Sequence, residues 1–147
     1  MLKDIYSVLK HKIVGGLLIF ILGLHYFGVL FSFYRNTSWY DIPMHFLGGA
    51  WVALLVIYWP GFKNQFHTFG QKLIFILLCV MIVGLAWEIM EIYIDGLIYL
   101  DLYSDVDGVR SISREFKAGW TSDSFGDLGM DALGGFVATY MVLRKNK

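Results

Sequence analysis

Residues 73–94 read LIFILLCVMIVGLAWEIMEIYI, an apolar stretch that only two charged residues, Glu88 and Glu91, interrupt near its end. A bilayer core about 30 Å thick is crossed by about 20 apolar residues in a helix. The stretch therefore predicts a membrane-spanning helix that carries two acids close to one of its ends.

The same length test identifies three further segments, at about residues 13–34, 42–59 and 124–143. The composition agrees, because the chain is 57% hydrophobic and only 16% charged, whereas soluble domains average about 25% charged. No small-x-small cleavage motif closes the first segment, so we expect a retained helix and not a cleaved signal peptide. The predicted fold is all-α: a single transmembrane domain over residues 1–147, forming a polytopic membrane helix bundle of about four transmembrane helices.

The longest polar stretch, residues 95–122, separates the third segment from the fourth. We expect it to form a polar extracytoplasmic loop before the last helix. Its Asp107-Gly108 pair follows alternating polar and apolar residues, a pattern typical of a β-hairpin. An amphipathic helix in the membrane interface is the alternative interpretation.

The distribution of basic residues predicts how the chain lies in the membrane, because cytoplasmic loops carry an excess of Lys and Arg. With a cytoplasmic N-terminus, eight of the 12 lysines and arginines fall on the cytoplasmic side. We therefore expect a multi-pass protein of the plasma (inner) membrane with both termini cytoplasmic. A net charge of zero offers no basic surface for nucleic acid. The expected partners are the lipid bilayer and an unidentified small-molecule or lipid ligand.

Acidic residues and one histidine recur at helical spacing within or beside the predicted helices. Three segments each carry a pair spaced i, i+3 or i, i+4, so the two members share one helix face. All pairs lie within roughly 12 Å of the same outer surface, at 1.5 Å of rise per residue. The pattern predicts one shared acidic site on the extracytoplasmic side. Its residues are Asp41, His45, Glu88, Glu91, Asp127 and Asp131.

Five carboxylates in this predicted site cannot all stay ionised in a low-dielectric environment without a countercharge. No Lys or Arg lies within the second, third or fourth segment. A divalent cation could bind there, and oxygen-rich ligands with one imidazole favour Mg²⁺, Mn²⁺, Ca²⁺ or Zn²⁺. Alternatively, some acids could be protonated, as in a proton relay. A third solution is that Arg110 and Arg114 of the loop pair with the acids.

Three residues outside the predicted ligand set are interpreted differently. Asp123 extends the acidic face of the fourth segment by one turn, and Trp87 could line the cavity beside Glu88. His25 has no acidic residue four positions away, so we expect a hydrogen-bonded core histidine there. No cofactor other than the cation is expected.

The order of these residues resembles that of the VanZ-like and YjdF-like families of small bacterial integral membrane proteins. Each motif is weak alone, but together they extend over most of the chain from the second segment onward. The motifs that carry the resemblance are Trp39-Tyr40-Asp41-x-x-x-His45-x-x-Gly48, Glu88-x-x-Glu91 and Asp123-Ser124-x-x-Asp127-Leu128-x-x-Asp131-x-x-Gly134.

The resemblance implies a common acidic site and names no substrate. VanZ-like proteins are associated with low-level resistance to glycopeptide antibiotics such as teicoplanin, whereas the YjdF-like group is essentially uncharacterised. Asp131 stands where VanZ-like members often have asparagine, and Glu91 where they often have glutamine. These departures bring the chain nearer to the YjdF-like group and put antibiotic resistance in doubt.

Three functional hypotheses follow from the predicted site. In the first, a divalent cation polarises a phosphoryl or carbonyl group of an envelope lipid or cell-wall-related ligand. In the second, the chain is a small proton- or ion-coupled transporter, which with so few helices would need a homo-oligomer. In the third, it is a non-catalytic envelope protein whose acids pair with the loop arginines. No catalytic residue is assigned, so the sequence leaves open whether the protein is an enzyme.

Overall fold

A computed structural model describes the backbone of residues 2–37, 39–102 and 106–144; the side chains of residues 94–123 and of a few single positions lie outside that description. Every regular element in these ranges is a helix, as predicted. In chain order the helices are α1 (Leu2–Leu9), α2 (Lys12–Leu30), α3 (Phe33–Asn36), α4 (Asp41–Ile57), α5 (Phe62–Gln65), α6 (Phe69–Leu102) and α7 (Val106–Arg144).

The first predicted segment is divided in the structure into α2 and the single turn α3. The backbone of Ser32 lies in the left-handed region, with a φ of 55°. A residue in that conformation commonly ends an α-helix, because its backbone cannot continue the right-handed turn. Tyr34 therefore belongs to α3 and not to the helix that precedes it.

The predicted polar loop at residues 95–122 is largely helical. Helix α6 continues to Leu102 and α7 begins at Val106, while residues 103–105 lie outside the described ranges. The hairpin prediction at Asp107-Gly108 is therefore wrong, since both residues lie in the first turn of α7. Lengthening a helix adds one hydrogen bond per residue and needs no new nucleus, which favours extending α6 and α7 over starting a separate hairpin.

Two of the described helices are long and apolar enough to cross a membrane, Lys12–Leu30 and the Phe69–Glu91 part of α6, whereas α4 is apolar but shorter. Large apolar side chains project outward from α6 at helical spacing. This outward stripe consists of Ile74, Leu78, Ile82, Leu85 and Ile89. An apolar face of this kind is suited to contact with lipid.

Helix α4 lies at the centre of the bundle and packs against α2, α6 and, most extensively, α7. Near its C-terminal end, Leu54 packs with Val14 from the start of α2. There too, Trp51 Nε1 donates a hydrogen bond of 3.1 Å to the carbonyl oxygen of Val14. Phe69 at the start of α6 contacts Tyr140 near the end of α7. The start of α4 therefore lies at the opposite end of the bundle, beside the later part of α6.

Glycine allows the close approach of α4 and α7. A methyl group added at Gly49 of α4 would collide with the backbone of Asp131. One added at Gly134 of α7 would collide with the carbonyl group of Phe46. Because backbone atoms cannot rotate away, only glycine permits this helix separation. The contact brings the two polar helix faces together.

Candidate functional site

His45 lies at the centre of a cluster of acids from three helices. Its side chain is only 4% exposed. The Nδ1 atom lies 3.3 Å from Asp131 Oδ2 on α7. On the other side of the ring, Nε2 lies 3.7 Å from Asp41 Oδ1 and 3.9 Å from Glu88 Oε1 on α6. One imidazole thus joins carboxylates from all three helices.

The local sequence explains how α4 presents its two site residues. The helix begins at Asp41, and Pro43 lies in the first turn, where its missing N–H removes no intrahelical hydrogen bond. His45 follows Asp41 by four residues, so both side chains project from the same face. The helix start thereby places a carboxylate near the surface and an imidazole one turn deeper.

Helices α6 and α7 supply the remaining acids to the same end of the bundle. Glu88, Asp127 and Asp131 are buried, whereas the Asp41 side chain is 38% exposed and Glu91 is half-buried. The site therefore has a closed side within the bundle and an open side near the start of α4.

The six residues that the sequence predicted for this site lie together, but only five of them belong to groups whose atoms are close enough to bind one metal ion. Two groups each offer three ligand atoms that lie within 4.8 Å of one another. One group is Asp41, His45 and Asp127, and the other is His45, Glu88 and Glu91. Asp131 belongs to neither group and contacts the opposite nitrogen of His45. The geometry brings all six together, and their role as metal ligands stays a prediction.

Glu88 carries a buried polar atom that accepts no hydrogen bond from the described residues. Its side chain is 7% exposed, and Oε1 accepts no hydrogen bond from the part of the chain that the structure describes. Leaving a buried carboxylate oxygen without a partner costs about 1–3 kcal/mol or more. The atom faces Nε2 of His45 across 3.9 Å, so it points into the cluster.

Trp87 lies at the open side of the site, where its indole is 44% exposed. Its Nε1–H donates a hydrogen bond of 2.8 Å to Glu91 Oε1, one helical turn away. The sequence suggested that Trp87 could line the cavity beside Glu88. In the structure its clear polar contact is with Glu91, which it holds in place from the same helix.

Two tyrosines that were not predicted as site residues, Tyr34 in α3 and Tyr40 at the start of α4, border the site. Tyr34 Oη lies 2.9 Å from His25 Nδ1, and the Tyr40 hydroxyl donates a 2.7 Å hydrogen bond to the carbonyl oxygen of Leu24. Burial, and next the negative charge of Asp41, raise the pKa of Tyr34 to about 12. The hydrogen bond expected of His25 is present, but His25 is exposed and does not lie in the core.

Three further predicted residues fall where the structure describes only the backbone. Arg110, Arg114 and Asp123 belong to α7, and their side chains lie outside the described part. Arg110 and Arg114 were expected in a loop, and their helical backbone corrects that expectation. Whether these arginines pair with the acids stays a prediction.

The fold and the site define a helical membrane protein with a histidine-centred acidic cluster between its helices. The chain belongs to a family described as predicted membrane protein (DUF2238), which matches residues 6–147. No match was found among curated proteins or among solved structures. The family match supports the membrane character and assigns no ligand. The more specific resemblance to VanZ-like and YjdF-like proteins stays a prediction.

Proposed function

We propose that this protein binds a divalent cation within the membrane, at the cluster centred on His45. The observation that carries the proposal is the buried Glu88 Oε1, which accepts no hydrogen bond from the described residues and faces the His45 ring. Buried polar atoms are normally satisfied. A cation between Glu88 Oε1 and His45 Nε2 would satisfy both atoms at once.

The charge balance of the cluster supports the same proposal. Five carboxylates surround one imidazole, so even a protonated His45 would neutralise only one of them. A divalent cation supplies two positive charges at the point where the acids converge. Carboxylate oxygens with a single imidazole suit Mg²⁺, Mn²⁺ or Ca²⁺, and also Zn²⁺.

We place the cation site near the extracytoplasmic surface. In this topology α2, α4, α6 and the last part of α7 each cross the inner membrane, with both termini in the cytoplasm. The packing of the α4 C-terminal end against the start of α2 and the end of α7 supports the arrangement. So does the excess of basic residues expected on the cytoplasmic side.

The ligand that we propose for the bound cation is the anionic headgroup of an envelope lipid or a cell-wall-related molecule. Asp41 and Glu91 form the open side of the site, and a molecule in the outer leaflet could reach the cation there. A divalent cation binds phosphoryl oxygen and polarises it as a Lewis acid. This chemistry suits either binding or hydrolysis, so the proposal covers a binding protein as well as an enzyme.

Metal analysis of detergent-purified protein tests the proposal. Wild-type protein incubated with Mg²⁺, Mn²⁺ or Zn²⁺ and then desalted should retain near-stoichiometric metal by mass spectrometry. The double variant Asp127→Asn/Glu88→Gln should retain almost no metal, because each of its two substitutions removes one charged ligand. Asp4→Asn provides the matched control, since it removes a carboxylate from α1, away from the cluster. Wild-type protein that retains no metal would contradict the proposal and favour protonated acids or arginine pairing.

A further inference from the structure

Asp131 contacts the nitrogen of His45 that faces away from the other measured acids. Its Oδ2 atom lies 3.3 Å from Nδ1, whereas Asp41 and Glu88 approach Nε2. Both Asp131 and His45 are buried. The two ring nitrogens therefore have different neighbours, and this difference assigns them different tasks.

The chemistry of imidazole fixes those tasks once a cation is bound. A metal binds the nitrogen that carries the lone pair, so the ring proton of a neutral imidazole must be on the other nitrogen. If Nε2 is the ligand, the Nδ1–H group must donate to Asp131 Oδ2. Metal-bound histidines almost always donate their second N–H group to a carboxylate, a carbonyl or water, which orients the ring and raises its basicity.

We propose that Asp131 is a positioning residue, which holds His45 with Nε2 directed at the cation and does not itself bind the cation. This inference rests on the proposed cation site and refines it. It is supported by the arrangement of ligand atoms, because Asp131 is in neither of the groups that bring three candidate ligands within 4.8 Å. The refined ligand set is Asp41, His45, Glu88, Glu91 and Asp127.

The Asp131 carboxylate lies in a glycine niche formed by Gly84 and Gly48. A methyl group added at Gly84 of α6 would lie 2.6 Å from Asp131 Oδ2, which is too close for any real contact. One added at Gly48 of α4 would lie 3.8 Å from Oδ1. The carboxylate thus occupies the space that a side chain at Gly84 would need, whereas a methyl group at Gly48 would be in ordinary van der Waals contact with it. We expect a side chain at Gly84 to displace Oδ2 from its contact with the His45 ring.

Titration with Mn²⁺ separates a positioning residue from a ligand. The Asp131→Asn variant should still bind Mn²⁺, with an affinity about 10–100-fold below wild type, the usual effect of losing the carboxylate partner of a ligating histidine. Glu88→Gln should bind far more weakly than Asp131→Asn. Equal losses in the two variants would make Asp131 a ligand and overturn the inference, as would unchanged affinity in Asp131→Asn.

Nuclear magnetic resonance of metal-free protein with ¹⁵N-labelled histidine tests the hydrogen bond directly. Wild-type protein should show a slowly exchanging Nδ1–H signal that disappears in His45→Gln and is lost or shifted in Asp131→Asn. The signal should persist in Glu88→Gln, which keeps the Asp131 contact. Two results would overturn the inference. One is a His45 ring that is protonated only at Nε2, and the other is an Nδ1–H signal that is the same in Asp131→Asn as in wild-type protein.

Two glycine variants distinguish the niche from general helix packing. Gly84→Ala should weaken Mn²⁺ binding at least as much as Asp131→Asn and should shift the Nδ1–H signal. Gly135→Ala strains the same contact between α6 and α7, because its methyl group would lie 2.9 Å from Val80 Cγ2, but it does not touch Asp131. Equal effects on the Nδ1–H signal in both variants would overturn the role of Gly84.

The proposed function and this inference fail in different ways. If wild-type protein has no affinity for Mn²⁺, Mg²⁺ or Zn²⁺, the proposed cation site does not exist, and Asp131 positions no metal ligand. The NMR comparison still decides whether Asp131 holds the His45 ring. A cation bound with full affinity in Asp131→Asn would keep the proposed function and overturn only the inference.

Discussion

At the scale of single residues, the site depends on how several buried acids share one imidazole. His45 contacts acids through both ring nitrogens, and its burial keeps water from replacing those contacts. A buried charge is stabilised only when it is paired and hydrogen-bonded. The acids at the open side are accessible to water, so we expect their contacts to contribute less to the stability of the site.

The hydrogen bond from Trp87 to Glu91 gives a prediction at this scale. The Trp87→Phe variant keeps an aromatic ring and removes the Nε1–H donor that lies 2.8 Å from Glu91 Oε1. We expect Mn²⁺ affinity to fall about fivefold, because a hydrogen bond at a half-exposed position contributes about 1 kcal/mol. Isothermal titration measures the change. Trp59→Phe, at the other end of α4, is the control, and an equal loss there would contradict the assignment.

The spacing of the site residues was predictable from the sequence, and the orientation of their side chains was not. Pairs at i, i+3 and i, i+4 place Asp41 with His45 and Asp127 with Asp131 on common helix faces. The contact between Asp131 and Nδ1 of His45 lies beside Gly84, a residue of a third helix, and the sequence positions of these residues do not indicate that they meet. The sequence therefore predicted the six members of the cluster but could not separate a positioning residue from a ligand.

At the scale of helices, close packing between α4 and α7 holds the two polar faces against each other. The Gly134→Ala variant should lower the melting temperature in detergent by about 3–10 °C, because overpacking against a backbone carbonyl costs about 1–3 kcal/mol. Gly129→Ala on the same helix meets nothing within 4 Å and should leave the melting temperature nearly unchanged. Equal destabilisation by the two variants would show that the close approach at Gly134 does not matter.

The contact between α2 and the start of α4 gives a second prediction for helices. Tyr40→Phe removes the hydroxyl that donates a 2.7 Å hydrogen bond to Leu24, and we expect a loss of about 1 kcal/mol in the free energy of unfolding. Metal affinity should change little, since Tyr40 is not among the candidate ligands. Chemical denaturation and Mn²⁺ titration of the same sample check both statements. A large loss of affinity with unchanged stability would contradict them.

The presence of the long apolar helices was predictable from the sequence, whereas their lengths and the short helices α1, α3 and α5 were not. The apolar stretch at residues 42–59 predicted both ends of α4 to within two positions, and the stretch at residues 73–94 predicted the start of α6 to within four but its end eight residues too early. Residues 95–122 contain no long apolar stretch, so the continuation of α6 and α7 through these polar residues was missed. A break at Ser32 was missed as well, because serine is an uncommon residue in the left-handed region.

At the scale of the whole molecule, the proposed topology places the start of α4 on the extracytoplasmic side and the segment after α4 in the cytoplasm. In a Cys79→Ser background, Asn36→Cys should react with a membrane-impermeant maleimide in intact cells. Asn64→Cys should react only after the membrane is permeabilised. Both positions are exposed, so both should react in detergent, which provides the control. Labelling of Asn64→Cys in intact cells, without Asn36→Cys, would reverse the topology and place the acidic site on the cytoplasmic side.

The most direct test of the central claim is electron spin-echo spectroscopy of Mn²⁺ bound to the purified protein. A cation held by His45 should show coupling to one imidazole ¹⁴N nucleus. The coupling should vanish in His45→Gln and persist in His67→Gln, a histidine outside the cluster. Bound Mn²⁺ without nitrogen coupling, or coupling that survives in His45→Gln, would show that the cation lies elsewhere and contradict the account.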